Sequence, residues 1–383
     1  MDNLKIAIYV IIRTCMRVFC IFPVKRNRIF FESYAGRSYS CNPKYLCEYI
    51  MAHDQGKYQL VWAFRQPEQV EAPARVKKIK KNSIRYFFYH MTSKVIVTNM
   101  TDAVYIPLRK SQRSINTWHA GGAYKKVGLS YDKIQSKVSR WQNRSVCKET
   151  SYYLSSSDTF TKYNIKEAYG YEGEVVNYGM PRNDLFFDHE QVKRTSAKVR
   201  EQLGIQDATV ILFAPTFRGD FGSGTESASP FPYEKVTGAF AKENRKVIIL
   251  NRSHYVLADS KTPQGKNILN VNSYPDMQEL LAASDILITD FSSSIWDFAF
   301  LQRPCVLYIP DIKEYQNERG TYTPIETWPG YAIYDEETLC HFLANPPYEK
   351  CKEIATTSVS KFGSYENGKA SEMLYNLVEE VCK

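Results

Sequence analysis

At 383 residues the chain is too long for one ordinary hydrophobic core and suits two α/β domains. With 44% hydrophobic and 24% charged residues, 28 Tyr and 20 Phe, its composition excludes a disordered or low-complexity polymer. The formal charge of +9 suits an anionic substrate or an anionic membrane surface, and no nucleic-acid-binding signature accompanies it, so nucleic acid is not an expected partner.

The first segment, Leu4 to Val24, is apolar but interrupted by Lys5, Arg13 and Arg17. On a helical wheel these three cations fall within roughly one third of the circumference. Leu4, Ile8, Ile11, Cys15, Val18 and Phe22 share the opposite face. That pattern predicts an interfacial amphipathic helix with snorkelling cations, or the same helix packed on the protein's own core. No small-residue cleavage site follows it. Lys77, Lys78, Lys80 and Lys81 form a basic cluster that suits a solvated face or a membrane-facing patch. Nine cysteines, odd in number and without a CxxC pair, argue against a disulfide framework or zinc site and for a reducing cytoplasm.

Short apolar runs then alternate with helix-like stretches. Strands are expected at Arg28–Glu32, Gln59–Phe64, Lys94–Thr98, Ser114–Trp118, Tyr152–Ser155 and Glu174–Tyr178, with helices such as Lys44–Met51 and Ser83–Met91 between them. In the second half Thr209–Ala214, Lys246–Asn251, Asp285–Thr289 and Pro304–Ile309 are near-continuous apolar runs, the signature of parallel strands covered on both faces. Asp188–Gln202 is helix-like, the Gly219–Pro232 stretch reads as a mobile or substrate-gated loop, and Ser364–Lys383 reads as a closing helix. The expected division is a membrane-associating helix (1–27), an N-terminal α/β domain on the acceptor side (28–187), a C-terminal α/β donor-binding domain (188–363) and the closing helix (364–383). The fold class is α/β, with two doubly wound Rossmann-type domains facing across a cleft that gathers both sets of strand C-termini.

Five constellations follow expected strand ends. The first runs from Asn116 to Gly128 (NTWHAGGAYKKVG) and puts His119 directly after a strand and before a glycine turn. Glycines there let backbone N–H groups approach a ligand, an imidazole can take a proton near neutral pH, and Lys125 or Lys126 can neutralise phosphate. By spacing alone the same residues equally suit a turn histidine with a solvated lysine pair. The second, Tyr178 to Asp184 (YGMPRND), offers Arg182 as a planar phosphate donor or as a helix cap. The third, Phe213 to Gly219 (FAPTFRG), contributes Pro215, Thr216 and Arg218, and the fourth, Arg252-Ser253-His254-Tyr255, a second histidine beside an arginine.

The fifth constellation, Thr289 to Ala299 (TDFSSSIWDFA), is the strongest: a strand ends at Asp290 and a helix is expected to begin in the Ser292–Ser294 run with a serine N-cap. Such a helix start is an anion site, and Asp297, one turn inside, could bind a ribose or alditol hydroxyl or form an ordinary salt bridge. Downstream, Arg303, Asp311, Glu314, Tyr315 and Arg319-Gly320-Thr321-Tyr322 add polar groups. No Walker loop, HExxH, GxSxG or clustered metal-ligand spacing occurs, so the expected chemistry is phosphoryl or glycosyl transfer with no metal and no cofactor.

Taken in order, these motifs resemble the CDP-glycerol glycerophosphotransferase family of teichoic-acid and capsule synthesis. The resembling patterns are WHG-x-x-x-K-x-x-G, G-x-P-R-N-D, A-P-T-[FW]-R, R-x-H and T-D-[YF]-S-S-x-x-x-D, with Gly36 to Tyr45 upstream and Arg303 to Tyr322 downstream. The resemblance implies a GT-B-like architecture and monotopic attachment to the cytoplasmic face of the membrane. It implies His119 as the base and His254 as a second essential histidine. It implies donor contacts from Thr117, Trp118, Ala120, Gly121, Arg182, Pro215, Thr216, Arg252, Ser253, Ser292, Ser293 and Asp297, with Lys125, Arg218, Asp290 and Arg319 as further site residues. Three positions depart from the pattern: Ala120 stands for the usual glycine, Cys41 for a common acidic residue, and Tyr255 for the usual proline.

The implied partners are a CDP-glycerol or CDP-ribitol donor, a lipid-linked glycan acceptor and the anionic membrane surface. The implied reaction is attack of an acceptor hydroxyl, deprotonated by His119, on the donor's β-phosphorus, with release of CMP. Two other classes share these features: a GT-B glycosyltransferase using a nucleotide sugar, and a non-catalytic membrane-bound partner of a synthesis complex.

Overall fold

The computed structural model describes residues 2–100, 104–122, 125–130, 136–216, 231–241, 246–253 and 265–383. The chain forms two compact units. The first is Met1–Ala123 with Val127–Asp184 and Ser364–Lys383, and the second is Tyr124–Lys126 with Leu185–Gly363.

The first unit is built on seven parallel strands: β1 (Lys25–Glu32), β2 (Gln59–Phe64), β3 (Lys77–Lys80), β4 (Ser93–Thr98), β5 (Arg113–Asn116), β6 (Tyr152–Leu154) and β7 (Glu174–Val176). Their order in the sheet is β3-β2-β1-β4-β5-β6-β7. The order reverses between β1 and β4, and that switch point leaves a crevice at the strand C-termini. Register puts Glu32 beside Thr98 and Thr98 beside Asn116, so three strands end level there. Phe30, Phe31, Val61, Trp62 and Val97 are wholly buried. Each such aliphatic or phenyl side chain contributes about 1.5–3 kcal/mol of burial.

Helices α1 (Asp2–Met16), α2 (Cys41–His53), α3 (Ile84–Thr92) and α4 (Lys137–Glu149) belong to this unit. The α3 and α4 starts are fixed by Ser83 and Ser136, whose hydroxyls accept from Tyr86 N and Ser139 N. No residue of α1 is fully buried. One side of α1 packs on α4: Tyr9 stacks on Trp141 at 5.7 Å, and Asp2 accepts from Lys137 N. Leu4, Ile8, Val10 and Ile11, continued by Val18, Ile21 and Phe22, are left exposed. Arg13 departs from the expected snorkelling role. Its guanidinium donates to the Val104 carbonyl at 2.6 Å and pairs with Glu149, so it fastens the helix inward. No described helix is long and apolar enough to cross a membrane.

The basic cluster also resolves differently from a uniform patch. Lys77, Lys78 and Lys80 are exposed on edge strand β3, where charge discourages pairing with a foreign strand. Lys81 instead turns inward and pairs with buried Glu32.

The second unit repeats the architecture with β8 (Thr209–Phe213), β9 (Val247–Asn251), β10 (Ile268–Asn270), β11 (Ile286–Thr289), β12 (Cys305–Tyr308) and β13 (Tyr331–Ile333), ordered β10-β9-β8-β11-β12-β13 and all parallel. Helices α5 (His189–Leu203), α6 (Tyr233–Ala241), α7 (Met277–Ala283), α8 (Ser294–Ala299), α9 (Ile312–Glu318), α10 (Glu336–Ala344) and α11 (Tyr348–Lys361) accompany it. Asp188 caps α5 through Gln191 N, and Gly204 closes it in the left-handed conformation that favours glycine. Ile211, Phe240, Ile249, Ile288 and Val306 anchor the core.

The last helix, α12 (Ala370–Cys382), returns to the first unit. Asp184 fixes its start by accepting from Ala370 N and Ser371 N at 2.9 and 2.7 Å. None of the nine cysteines forms a disulfide.

Candidate active site

In the first unit the crevice at the β1/β4 switch point is occupied by His119. Strand β5 stops at Asn116, two residues short of the expected end, because Trp118 takes a left-handed conformation at φ 50°. The turn is held by Asn116, whose Oδ1 accepts from Trp118 N at 2.9 Å, and by Thr117, whose N–H and hydroxyl both donate to the Thr98 carbonyl. A non-glycine residue in that region is uncommon and clusters at functional sites.

The turn delivers a half-buried imidazole. His119 stacks on Trp118 at 4.5 Å and lies 5.7 Å from the Tyr34 ring. Its Nδ1 is 2.9 Å from the Asn99 carbonyl oxygen. A carbonyl can only accept, so Nδ1 carries the proton and Nε2 is the basic nitrogen of the neutral ring.

Two polar side chains brace this loop from behind. Asn42, wholly buried on α2, donates to the carbonyls of Thr117 and Trp118 at 3.0 and 3.1 Å. Arg182 is 2% exposed, and its Nη1 donates to the His119 carbonyl at 2.7 Å and to Cys41 Sγ at 3.2 Å. The buried guanidinium that the sequence offered for phosphate or a helix cap thus grips the backbone of the histidine. Cys41 occupies the left-handed region at φ 61° and supplies a thiol to that guanidinium.

Several motif residues hold the architecture. Gly128 has φ +56°, and a Cβ there would sit 2.2 Å from the Ala168 carbonyl oxygen. Met180 N and Asn183 donate to Glu366 at 2.9 Å each, and Asp184 caps α12. Gly121 is buried, its carbonyl accepting from Ser156 Oγ at 2.5 Å, while Ala120 is half-buried beside it.

In the second unit the expected donor residues gather at the ends of β8, β9 and β11. Asp290, 4% exposed, accepts through Oδ1 from Thr216 N, Thr216 Oγ1 and its neighbour Phe291 N at 2.8, 2.9 and 2.5 Å. It thereby ties the end of β8 to that of β11. Half-buried Pro215 lies between. After β9, Arg252 donates to the carbonyls of Val271 and Tyr274 at 3.2 and 2.7 Å, and Ser253 N donates to Asn272 Oδ1 at 2.7 Å.

The Ser292–Ser294 run starts a helix with a serine at the cap position, as expected, and differs only in how that start is held. Helix α8 is only six residues long, and Ser293 sits at its cap position without a side-chain cap bond. The Ser292 hydroxyl accepts instead from Ser294 N and Ser294 Oγ at 3.4 and 3.0 Å. Asp297 is buried, 3% exposed, and its Oδ2 accepts from the equally buried Gln278 amide at 2.9 Å. Lys125 pairs with Thr321 in an isolated antiparallel bridge, and Arg319 Nε donates to the Lys126 carbonyl at 3.4 Å. Arg218, most of the Gly219–Pro232 stretch, His254 and Tyr255 lie outside the described residues.

Sequence reasoning did not single out Asn99, Gln278 or Asn272. Each acts through hydrogen bonds between segments separated in the chain, and no spacing rule marks such residues.

The chain matches the sequence model of the family described as CDP-Glycerol:Poly(glycerophosphate) glycerophosphotransferase over residues 14–380. It is 29% identical over 393 residues to the teichoic acid poly(glycerol phosphate) polymerase of Bacillus spizizenii, covering 99% of this chain and 97% of that protein. It is 31% identical over 283 residues to the teichoic acid ribitol-phosphate polymerase TarL of Staphylococcus aureus, covering 70% of this chain and 48% of that longer protein. A solved variant of the wall teichoic acid polymerase TagF, soaked with CDPG, superposes with a TM-score of 0.85 at 25% identity, covering 100% of this chain and 97% of that one. The two parallel-sheet units are thus those of a GT-B-type α/β fold. The chain belongs to the CDP-glycerol:poly(glycerophosphate) glycerophosphotransferase family, enzymes that transfer glycerol phosphate.

Proposed function

We propose that this enzyme transfers glycerol phosphate, or a related alditol phosphate, from a CDP-linked donor to a hydroxyl of a lipid-linked teichoic-acid or capsule acceptor, releasing CMP. The observation that carries the reading is the His119 imidazole, held at a strand-switch crevice with its proton on Nδ1. His119 Nε2 takes the acceptor hydroxyl's proton as that oxygen attacks the β-phosphorus. The bond from that phosphorus to the bridging oxygen breaks, and the electron pair leaves with CMP. Thr216, Arg252, Ser253, Ser292, Ser293 and Asp297 contact the donor, and His254 stabilises charge on its phosphates. The relatives' polymerase names and the CDPG-soaked TagF variant support this donor class.

The reaction takes place at the cytoplasmic face of the membrane. The exposed apolar residues of α1 and the Val18–Phe22 segment lie in the headgroup boundary, which brings the soluble donor to a lipid-borne acceptor.

The test is CMP release by the purified protein, with CDP-glycerol and CDP-ribitol each offered with a lipid-linked disaccharide or a short poly(alditol phosphate). Turnover with one donor, lowered on the order of a hundredfold or more in His119→Gln, is the expected result. No CMP from any combination, with a nucleotide sugar consumed instead, would overturn it in favour of glycosyl transfer.

A further inference from the structure

We infer that Asn99 is a positioning residue that sets the tautomer and direction of the His119 imidazole. The inference rests on the reading of His119 as the base. Asn99 is the first residue after β4 and is wholly buried. Its carboxamide makes two bonds to the end of β1: Oδ1 accepts from Tyr34 N at 2.8 Å, and Nδ2 donates to Ser33 Oγ at 3.1 Å. Its own carbonyl oxygen is the group that accepts from His119 Nδ1. One residue thus joins three strand ends: β1 and β4 through its side chain, and the β5 turn through its backbone.

The segment it holds is strained. Tyr34, Ala35 and Gly36 have φ of 45°, 57° and 77°, two of them in side chains that disfavour the left-handed region. Such backbone persists only where its surroundings over-determine it. Arg65 supports the far end, its Nε donating to the Ala35 carbonyl at 2.9 Å, while Asn99 supports the end nearest the histidine. The same turn brings the Tyr34 ring against the imidazole.

The physical consequence is a fixed proton position. A neutral imidazole in water favours the proton on Nε2, which would leave no lone pair there to receive a proton. A carbonyl aimed at Nδ1 reverses that preference, and it stays aimed only while the residue carrying it cannot rotate. The carboxamide bonds across the β1/β4 crevice supply that constraint.

The experiment is a two-bond proton–nitrogen correlation spectrum of the full chain labelled with 15N-histidine, recorded at alkaline pH. The His119 signals are assigned by their loss in His119→Gln. The wild type should show Nδ1 protonated and Nε2 bare. Asn99→Ala should shift the signals toward mixed tautomers and lower kcat about ten- to a hundredfold, with the donor KM within about threefold. Asn99→Asp, which can still accept from Tyr34 N and from the Ser33 hydroxyl, should restore the wild-type tautomer. Should Asn99→Ala fail to fold, Ser33→Ala removes only the Nδ2 bond and should give the smaller shift in the same direction. An unchanged tautomer in a folded Asn99→Ala or Ser33→Ala protein overturns the inference. A shifted tautomer together with full activity of His119→Gln would leave the tautomer assignment standing and sink the base reading instead.

Discussion

Arg182 Nη1 lies 2.7 Å from the carbonyl oxygen of His119, and 63 positions of chain separate the two residues. The guanidinium fixes where the imidazole begins, as Asn99 fixes where it points. Arg182→Lys keeps the charge but replaces a rigid fork by a single ammonium, which cannot hold the carbonyl and Cys41 Sγ in one geometry. CMP-release kinetics should show kcat lower by about ten- to a hundredfold with little change in donor KM. A rise confined to the donor KM would put the guanidinium on the donor phosphate instead.

The exposed side of α1 is apolar while its other side is fastened by Arg13, Tyr9 and Asp2. Replacing Ile8 and Ile11 together by Asp removes two insertable side chains without touching those fastenings. Burial of each is worth about 1.5–3 kcal/mol. Sedimentation with anionic vesicles should therefore weaken by at least about tenfold, with circular dichroism unchanged. Vesicle binding equal to wild type would exclude α1 as the attachment surface.

Asp54, 5% exposed, closes α2 and anchors the entry to β2. Burial alone would raise its carboxyl pKa. The Arg75 guanidinium and the Tyr58 and Gly56 N–H groups outweigh that and hold it below its ordinary 3.8. A depressed folded-state value means the carboxylate's stabilisation is fully present above the unfolded value and lost as pH falls through the folded one. Asp54→Asn should lower the stability of the first unit by about 1–3 kcal/mol near neutrality. In thermal melts this gap should narrow as pH drops below about 4. A gap constant down to strong acid would contradict the assignment.

Gln278 on α7 donates to Asp297 on α8, and both are 3% exposed. If Asp297 meets a donor hydroxyl, its second oxygen is aimed by that amide. Gln278→Met preserves volume and deletes the bond. The KM for the CDP-linked donor should rise roughly tenfold, since a deprived buried acceptor costs about 1–3 kcal/mol, with kcat nearly unchanged. Steady-state kinetics with kcat and KM both at wild-type values would remove Asp297 from the donor site.

Much of this was legible in the chain itself. The near-continuous apolar runs of β8, β9, β11 and β12 could only be strands covered on both faces, and their spacing with amphipathic segments made a doubly wound fold the economical solution. Strands β3, β10 and β13 escaped notice because they lie at sheet edges and are only three or four residues long, too short for a run or a period to stand out. The order of five motifs determined the family, because each residue type is dictated by local chemistry that survives as spacing.

What the sequence could not decide was the work each motif residue does. Gly128, Asn183 and Asp184 stand inside the motifs beside the expected site residues and are packing, bracing and capping residues, since a close approach or a capped helix needs the same residue types as a ligand does. Arg182 suited a phosphate or a helix cap by its sequence, and only the fold shows that its guanidinium holds the carbonyl of His119. Local propensity and periodicity act over a few residues, whereas the partners of Arg182, Asn99 and Gln278 are chosen by which strand ends and helices the folded sheets bring together, and that is settled only when the chain is folded.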